Sequence, residues 1–348
     1  MGRRNQSVTI SHVAADAGVS LQTVSRVINN EPNVRPEMKA RVQASIEKLH
    51  YVPSIAAQRM SGSRSYLILA INDRERTIAE WHARRGADWV DQMLLGGMLT
   101  CAEHGYRMIF ELVDTHNDHV ERELSGTIAA LQPDGIILTP PHSENPLITN
   151  LLEQRNIPFA RIGSLTPGSG FAVHMDDAGS AVQATQHLID LGHERIGFIA
   201  GAPDYNLSHW RVDGWRQAMA QAGLSDEGLC VQGDFSYENG REAAAALLDQ
   251  TPAPTAIIAS NDQMALATLD IANERNVAVP SDLSIISFDN TPVVRFTNPQ
   301  LTAVDQPIAA TFSKAVELLI HQATAKRDVP YLVKGSLVER ASTAPPKA

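Results

Sequence analysis

Residues Gly18–Asn30 read GVSLQTVSRVINN, a short segment in which apolar and polar residues alternate at helical spacing. Ser20 stands where an N-cap is preferred, and Val24, Val27 and Ile28 would share the inner side of a helix ending near Asn29. The outer side would carry Leu21, Gln22, Thr23, Ser25 and Arg26. The pattern predicts a small amphipathic helix with a polar outer face.

The flanking residues predict two further helices. Thr9 can cap a helix through TISHVAADAG, which has Val13, Ala14 and Ala17 on its apolar side and ends at Gly18. Pro36 suits the first turn of a third helix. Its apolar stripe would close a small core and consists of Met38, Val42, Ile46 and Leu49. Two short helices around a glycine turn, followed by a third, are typical of a helix-turn-helix.

The outer face of the second helix suits DNA recognition. In a major groove, Gln22 can pair with adenine and Arg26 with guanine, because each side chain offers two hydrogen bonds that match one base edge. Thr23, Ser25 and Asn29 are better placed for phosphates, which orient the protein without specifying sequence. The alternative is a three-helix bundle without a ligand.

Charge is distributed unevenly along the chain. The 348 residues have a net charge of −10, yet residues 1–64 contain nine Lys and Arg side chains against four Asp and Glu. The first segment therefore has five surplus positive charges and the remainder fifteen surplus negative ones. A small basic segment joined to a large acidic one favours polyanion binding by the former.

Residues 49–64, LHYVPSIAAQRMSGSR, extend the pattern. Together with VTISHVAADAGVSLQTVSRVINN they resemble the N-terminal region of the LacI/GalR family of bacterial transcription regulators. The resemblance implies a hinge helix at Ser54–Ser61 that orders on the operator, with Met60 as a minor-groove wedge and Ala57 at the helix pair. It also implies DNA contacts from Thr9, Ser20, Leu21 and Tyr51. Pro53 would end the preceding helix, and SIAAQRMS is too short to be stable alone. Arg35 departs from the family's usual Ser or Thr cap.

From Tyr66 onward, apolar strand-like runs such as YLILAIN and DGIILTP alternate with amphipathic helices. This order predicts parallel sheets built from βαβ units, enough for two doubly wound subdomains that bind a ligand beyond the strand ends. The body also resembles the family's effector core, a periplasmic-binding-protein-like fold. The fold class is thus an all-α headpiece with a hinge helix, joined to an α/β core. The predicted boundaries are 1–52 for the headpiece, 53–65 for the hinge, 66–163 plus about 305–329 for the first subdomain, 164–304 plus about 330–341 for the second, and 342–348 for a polar tail.

The family resemblance also implies an effector site in the cleft between the subdomains. Its matching positions are Arg211, Phe235, Asn261, Asp289 and Gln306, and Trp89 is expected to take the place of the family's aromatic residue after the first strand. An arginine, an amide, a carboxylate and a stacking ring suit a sugar or another polyol. Asn261 and Asp262 could instead cap the helix that follows, and Asp289 could close a turn.

The segment NDRERTIAEWHARRGADWVDQ, after the first strand, is longer than is usual in the family and lacks an Asn-Pro-aromatic step. Its arginines at 74, 76, 84 and 85 are interpreted as solvated charges. The alternative is a lid over residues 73–86 that adds a cation for an acidic effector such as a sugar acid.

Other features favour no separate chemistry. No apolar run approaches the length of a membrane span, no secretory signal is evident, and two distant cysteines suit a reducing cytoplasm. His116 and His119 lack a third metal ligand, Asp176-Asp177 resembles a helix start, and His193 is interpreted as a cap. No catalytic motif or cofactor site appears, which leaves a periplasmic solute-binding protein as the alternative.

The combined prediction is a cytoplasmic, non-enzymatic repressor. Its partners would be pseudo-palindromic operator DNA, a sugar or sugar-acid effector and a second copy of the chain. The C-terminal VERASTAPPKA contains no leucine heptads, which favours a homodimer over a tetramer.

Overall fold

The computed structural model describes residues 8–28, 31, 33–51, 64–83, 88–114, 119–166, 168–322, 324–325 and 329–347. The chain divides into two compact units, Met1–Tyr66 and Leu67–Ala348. The sequence predicts that the core starts at Tyr66. No helix of the described part is both long and apolar enough to cross a bilayer.

The first unit contains three helices, α1 (Ile10–Ala17), α2 (Leu21–Ile28) and α3 (Pro36–Lys48). Thr9 is the N-cap of α1, and Gly18 ends it in the left-handed conformation with φ +62°. The Ser20 hydroxyl accepts the Thr23 amide at 3.2 Å and so caps α2. These local signals confirm the predicted helix-turn-helix.

The core of this unit contains the predicted apolar residues. Val13, Val24 and Val42 are each fully buried and contribute one residue from each helix. Arg35 precedes α3 without a side-chain capping bond, as its departure from the usual cap predicts. Instead, Arg41 donates to the Ala17 carbonyl and ties α3 to the turn. The predicted hinge, with Ala57 and Met60, lies outside the described residues, as does Asn29.

The second unit contains two six-stranded sheets. The first has the order β11-β5-β4-β3-β1-β2 and is parallel throughout. Its strands are β1 (Leu67–Asp73), β2 (Arg107–Val113), β3 (Gly135–Leu138), β4 (Phe159–Ile162), β5 (Phe171–Met175) and β11 (Tyr331–Val333). The helices of this subdomain are α4 (Arg74–Ala83), α5 (Asp88–Glu103), α6 (Val120–Leu131), α7 (Pro146–Gln154) and α12 (Ile308–Ile320). β1 and β3 are buried along their whole length, as expected of parallel strands covered on both faces.

The second sheet has the order β12-β10-β9-β8-β6-β7, and only β12 runs antiparallel to its neighbour. Its strands are β6 (Ile196–Ile199), β7 (Cys230–Val231), β8 (Ala256–Ala259), β9 (Ser284–Asp289), β10 (Thr302–Asp305) and β12 (Ser336–Val338). The helices that cover it are α8 (Asp177–Asp190), α9 (Asn206–Gln221), α10 (Tyr237–Leu248) and α11 (Asp262–Glu274).

The chain crosses between the sheets three times. One crossing follows β10, which ends at Asp305, and the sequence predicts a crossing near 304. The first crossing was predicted near 163, but β5 pairs in parallel with β4, so the chain crosses only at Asp176. The third was predicted near 330, but β11 still pairs with β5, which moves that crossing to residues 334–335. Both errors have one cause, because the residue pattern of a short strand does not show which of two sheets the strand joins.

The C-terminal segment is part of the core and not a separate polar tail. Ser342 is fully buried and donates to the Ile285 carbonyl at 2.6 Å. His193, predicted to be a cap, lies beside this segment, with Nε2 2.9 Å from the Ala344 carbonyl and Nδ1 2.8 Å from the Thr255 hydroxyl. Burial lowers the pKa of His193, which favours the neutral ring.

Candidate functional site

A cavity of about 710 Å³ lies between the two subdomains of the core. Its walls come from the ends of β1 and β9, the starts of α4, α5, α10 and α11, and the crossing after β10. This is the edge at which parallel α/β sheets bind ligands, and the volume is within the range of about 300–1,000 Å³ typical of small-molecule sites. A molecule in this cavity would contact both subdomains.

All six effector residues predicted from the sequence line this cavity. They are Trp89, Arg211, Phe235, Asn261, Asp289 and Gln306. The Trp89 ring packs edge-on against Phe312 of α12, with centroids 5.9 Å apart. The structure therefore brings together residues that are up to 217 positions apart in the chain.

Arg211 is held in place by the buried carboxylate of Asp177, a residue whose sequence context predicts only the start of a helix. Its Nε donates to Asp177 Oδ1 at 2.8 Å, and the two side chains are 3% and 2% exposed. Nη1 donates to the Ser260 carbonyl, and the guanidinium carbon lies 4.6 Å from the centroid of the Phe288 ring. The predicted helix-start role holds for Asp176, which accepts the Gly179 amide, but Asp177 orients the cavity arginine.

Asn261 has the capping role that was considered as an alternative. Its Oδ1 accepts the Met264 amide at 2.9 Å, and its Nδ2 donates to the Phe235 carbonyl at 2.8 Å. The side chain therefore starts α11 and also fixes the loop that presents Phe235. Phe235 itself has φ +70°, a left-handed conformation that is uncommon for an aromatic residue and is maintained by this contact and its buried surroundings.

Two arginines of the segment after β1 contact other parts of the protein, although the sequence pattern indicates solvated charges there. It forms helix α4, where Arg74 donates to the Leu112 carbonyl at 2.8 Å and pairs with Glu123. Arg76 lines the cavity, and its guanidinium carbon lies 4.8 Å from the Tyr205 ring centroid and 4.9 Å from that of Phe235. Since α4 belongs to the first subdomain and the rings to the second, Arg76 bridges the cavity. Residues 84 and 85 lie outside the described part.

Carboxyl groups dominate the charge of the cavity. Burial, followed by the charge of Asp289, raises the pKa of Asp262 to about 7. Burial also raises the pKa of Asp289 to about 6, where Arg211 opposes the shift and the charges of Asp88 and Asp177 add to it. Asp88 has a raised pKa for the same first reason, burial. These groups are close enough to influence one another's protonation.

Sequence reasoning missed several cavity residues. The additional side chains include Asn72, Asp73, Arg76, Asp88, Tyr205, Asp234 and Asp262. Most follow a strand or begin a helix at the same sheet edge as the predicted residues, and this position was the available signal. Among the described residues, no group of three His, Cys, Asp or Glu side chains is arranged to hold a metal ion.

The outer face of α2 is accessible in the headpiece. Leu21 is 50% exposed, and Gln22 and Arg26 also reach solvent. Arg26 lies 3.5 Å from Glu31 in a surface ion pair. Tyr51 differs from the prediction of a DNA contact, because its side chain is buried in the headpiece core at 7% exposure.

Comparisons with known proteins agree with both units. A family model described as "Bacterial regulatory proteins, lacI family" matches residues 9–54, and one described as "Periplasmic binding protein-like domain" matches residues 185–343. The HTH-type transcriptional regulator CelR of Thermobifida fusca is 31% identical over 335 residues, which cover 94% of this chain and 95% of that protein. Catabolite control protein A of Priestia megaterium is 33% identical over 321 residues, with coverage of 90% and 92%.

Solved structures show the same likeness. The CelR–cellobiose complex matches with a TM-score of 0.71 at 29% identity, covering 96% of this chain and 99% of that one. The lac repressor dimer bound to operator shares the fold with a TM-score of 0.76 at 24% identity, covering 97% and 100%.

The fold and the cavity define a regulator that joins a helix-turn-helix to a periplasmic-binding-protein-like core. With relatives above 30% identity over nearly its whole length, the chain belongs to the LacI family of bacterial transcriptional regulators. It is a DNA-binding regulator and not an enzyme, and the alternative of a solute-binding protein without a DNA role is not supported.

Proposed function

We propose that this protein is a transcriptional repressor whose affinity for its operator is controlled by a small carbohydrate bound in the cavity. The observation that carries this proposal is that all six predicted effector residues line one cavity with walls from both subdomains. The relative CelR, which has the same architecture, has been solved as a complex with cellobiose, and this supports a carbohydrate ligand.

The charge of the cavity favours a carbohydrate over a sugar acid. More acidic than basic residues line the cavity. The basic residues are Arg76 and Arg211, and the acidic ones are Asp73, Asp88, Asp91, Asp234, Glu238, Asp262 and Asp289. Arg211 already has a buried carboxylate partner in Asp177, and Arg76 lies over two aromatic rings. A carboxylate on the ligand would therefore enter a field of like charge. Hydroxyl groups, in contrast, can donate to these carboxylates.

The cavity can link effector binding to DNA affinity. A ligand that touches both subdomains stabilises one relative arrangement of them, and a typical coupling energy between two such sites is about 1–3 kcal/mol. Arg76 bridges the same gap, so an effector that stacks on the rings of Tyr205 and Phe235 would replace this bridge. We propose that this exchange shifts the equilibrium between the two arrangements.

On the DNA side, we propose that Gln22 and Arg26 contact bases, with Leu21 beside them, and that Thr9, Ser20, Thr23 and Ser25 approach phosphates. Their helix and its caps are formed by local contacts, so the reading face exists before DNA binds. Arg26 would exchange its exposed Glu31 partner for a base edge, at a cost of at most about 1 kcal/mol.

We further propose a homodimer that contacts through helix α5. Leu95, Met98 and Leu99 are 49%, 52% and 57% exposed and follow each other at helical spacing, so they form an apolar stripe on one face of the helix. A stripe of this kind on a soluble domain is typical of a protein–protein interface. Sedimentation equilibrium tests it. The wild type is expected to be a dimer and Leu99→Lys a monomer, whereas a dimeric variant would place the interface elsewhere.

Effector binding is tested with Gln306→Leu, because the Gln306 side chain lines the cavity and makes no hydrogen bond to another described residue, so the substitution removes no described hydrogen bond of that side chain. In a thermal-shift screen of carbohydrates, a ligand that stabilises the wild type should bind this variant at least about tenfold more weakly. Gln186→Leu, on the exposed face of α8, is the matched control and should bind normally. Equal binding by Gln306→Leu would contradict the assignment of the cavity.

Base recognition is tested in two steps. Operator duplexes are first selected from a random library with the wild type, and the affinity of the wild type and of Gln22→Ala for these duplexes is then measured by fluorescence anisotropy of labelled DNA. Loss of a bidentate contact should cost about 1–3 kcal/mol at one base position and relax its specificity. Gln43→Ala, on the exposed face of α3, is the control. An unchanged base preference in Gln22→Ala would exclude base reading by this side chain. Addition of the effector should then change the affinity of the wild type for the operator.

A further inference from the structure

The turn that follows β9 has an uncommon backbone. Asp289 has φ +92° and Asn290 has φ +59°, so two consecutive residues other than glycine lie in the left-handed region. Aspartate and asparagine tolerate a positive φ better than most residues, but they adopt it as single residues, and two in succession require contacts that hold them. Since Asp289 lines the cavity, this turn decides where its carboxylate stands relative to a ligand.

The side chain of Asn290 is held on both of its polar ends. Its Oδ1 accepts a hydrogen bond from Nη2 of Arg340 at 2.5 Å, and its Nδ2 donates to Oδ1 of Asp305 at 2.7 Å. A guanidinium offers only donors and an ionised carboxylate only acceptors, so a side-chain amide is the group that satisfies both neighbours. We refer to Asn290, Asp305 and Arg340 as the Asn290 network.

Arg340 is itself fixed by the strands around it. Its Nη1 donates to the Leu301 carbonyl at 2.6 Å, and its backbone amide donates to the Thr302 hydroxyl oxygen at 2.9 Å. Arg340 follows β12, while Asp305 ends β10 directly beside Asp289 in the parallel ladder. The Asn290 network therefore anchors the turn to two neighbouring strands of the second sheet.

The Asn290 network lies outside the lining of the cavity, as far as the described residues define that lining. The residues on either side of Asn290, which are Asp289 and Thr291, do line the cavity. The Thr291 amide donates to Oδ2 of Asp262 at 2.6 Å, so the cavity side of the turn is also fixed. The Asn290 network can therefore influence a ligand only through the position of the turn.

We propose that Arg340 and Asp305 are positioning residues for effector binding, which act through Asn290 to hold the Asp289 carboxylate in the orientation that a ligand requires. The inference rests on the proposed carbohydrate site and adds to it residues that contact no ligand. Without the hydrogen bonds to Asn290, the turn relaxes toward a more common backbone conformation. Ligand binding must then restore the orientation of Asp289 at a cost in affinity.

The test uses the pattern of donors and acceptors around the amide. In Asn290→Asp the side chain still accepts from Arg340, but it presents a second carboxylate to Asp305 and so replaces a hydrogen bond with repulsion. When Asn290→Asp is combined with Asp305→Asn, the amide and the carboxylate exchange places, so the hydrogen bond and the net charge of the wild type are both restored. Asp305→Asn alone keeps an acceptor for the Asn290 amide and should weaken binding far less than Asn290→Asp.

Isothermal titration of the full-length protein with cellobiose, glucose, galactose and ribose measures the effect on affinity. A sugar that binds the wild type should bind Asn290→Asp at least about tenfold more weakly, because a hydrogen bond between an amide and a charged group is lost. The double variant should return to within about threefold of the wild type, because the two changes compensate each other only if the residues act as a pair. This rescue distinguishes positioning from a general loss of stability.

Arg340→Met removes the other partner of Asn290 and should also weaken binding at least about tenfold, since the bond that it loses is made by a charged donor. Arg275→Met is the matched control. Arg275 donates to Asp249 Oδ1 at 2.7 Å and to the Ala245 carbonyl at 3.3 Å, so it likewise joins one side chain to one carbonyl of the second subdomain, but none of these residues lines the cavity. Its variant should bind the sugar as the wild type does.

Hydrogen exchange gives a second readout that needs no ligand. In Asn290→Asp and in Arg340→Met, the Thr291 amide should exchange at least about tenfold faster than in the wild type, because the turn opens locally. The amides of Ile285 and Ile286, in the interior of β9, should keep their wild-type rates, which shows that the fold is intact.

Three results would overturn the inference while leaving the carbohydrate site intact. These are wild-type affinity in Asn290→Asp, a double variant that binds as weakly as Asn290→Asp, and an equal loss of affinity in Arg340→Met and Arg275→Met. If no sugar of the panel binds the wild type, the carbohydrate proposal fails, and the inference is judged by hydrogen exchange. An unchanged exchange rate of the Thr291 amide then overturns it as well.

Discussion

The buried pair between Asp177 and Arg211 yields the sharpest stability prediction. Both side chains are at most 3% exposed, and Nε lies 2.8 Å from Oδ1. In Asp177→Asn the hydrogen bond can persist, but the guanidinium loses its counter-charge in a buried site. Removal of one partner of a buried pair typically costs about 3–5 kcal/mol. Because the Ser260 carbonyl and the Phe288 ring still contact Arg211, we expect the lower end, about 3 kcal/mol.

The assay is urea unfolding followed by tryptophan fluorescence, since Trp210 and Trp215 lie on α9 together with Arg211. The exposed pair of Arg216 and Asp226, on the same helix and the loop after it, supplies the control. Asp226→Asn should cost less than about 1 kcal/mol, because solvent screens an exposed pair.

A double-mutant cycle separates charge from packing. In Asp177→Asn combined with Arg211→Gln, neither charge of this pair remains, so the double variant should be about 1–3 kcal/mol more stable than the sum of the single effects predicts. The reasoning is refuted if Asp177→Asn lies within about 1 kcal/mol of the wild type, or if the two single effects are additive.

Three further predictions concern the core. Gly96→Ala should destabilise the first subdomain by more than about 1 kcal/mol in thermal unfolding, because the added Cβ would lie 1.9 Å from the Ala309 carbonyl oxygen of α12. The control is Gly126→Ala on the open face of α6, which should be neutral or stabilising. Asp289→Asn should raise the free energy of unfolding at pH 8 but not at pH 4. The pKa of Asp289 is about 6 in the folded protein and lower in the unfolded chain, so the wild type loses stability as the pH rises from the unfolded pKa to the folded one. An equal gain at both pH values would contradict the raised pKa. Arg76→Ala should widen the distribution of cleft openings that small-angle X-ray scattering measures without added ligand, because the contact between Arg76 and the rings of Tyr205 and Phe235 is lost. An unchanged scattering profile would show that Arg76 does not restrain the cleft.

The headpiece was predictable because its determinants are local. Caps at Thr9 and Ser20, the glycine at 18 and valines at helical spacing each act within a few residues of the bond or contact they form. Tyr51 was not predictable in the same way. A tyrosine at a helix end suits either a phosphate contact or a core position, and only the packing of α1 to α3 decides that it is buried.

The cavity was predictable in part. Its six expected residues were identified through family resemblance and through their positions at strand ends. The partner of Arg211 was not, because Asp177 is 34 residues away and its position at a helix start already explained it locally. Arg76 was misread for a similar reason, since an arginine in a charged segment carries no local sign that it will reach two rings of the other subdomain.

By itself, the sequence determined the helix-turn-helix, the alternation of strands and helices and the class of regulator, because these follow from short-range periodicity, capping and a gapless motif. The tertiary structure alone decided which sheet receives β5 and β11, which charges are paired, and that Asp88 lines the same cavity as Asp262 and Asp289. Such features depend on distances between segments far apart in the chain, and burial then sets the strength of each charge. Residue type alone specifies neither quantity.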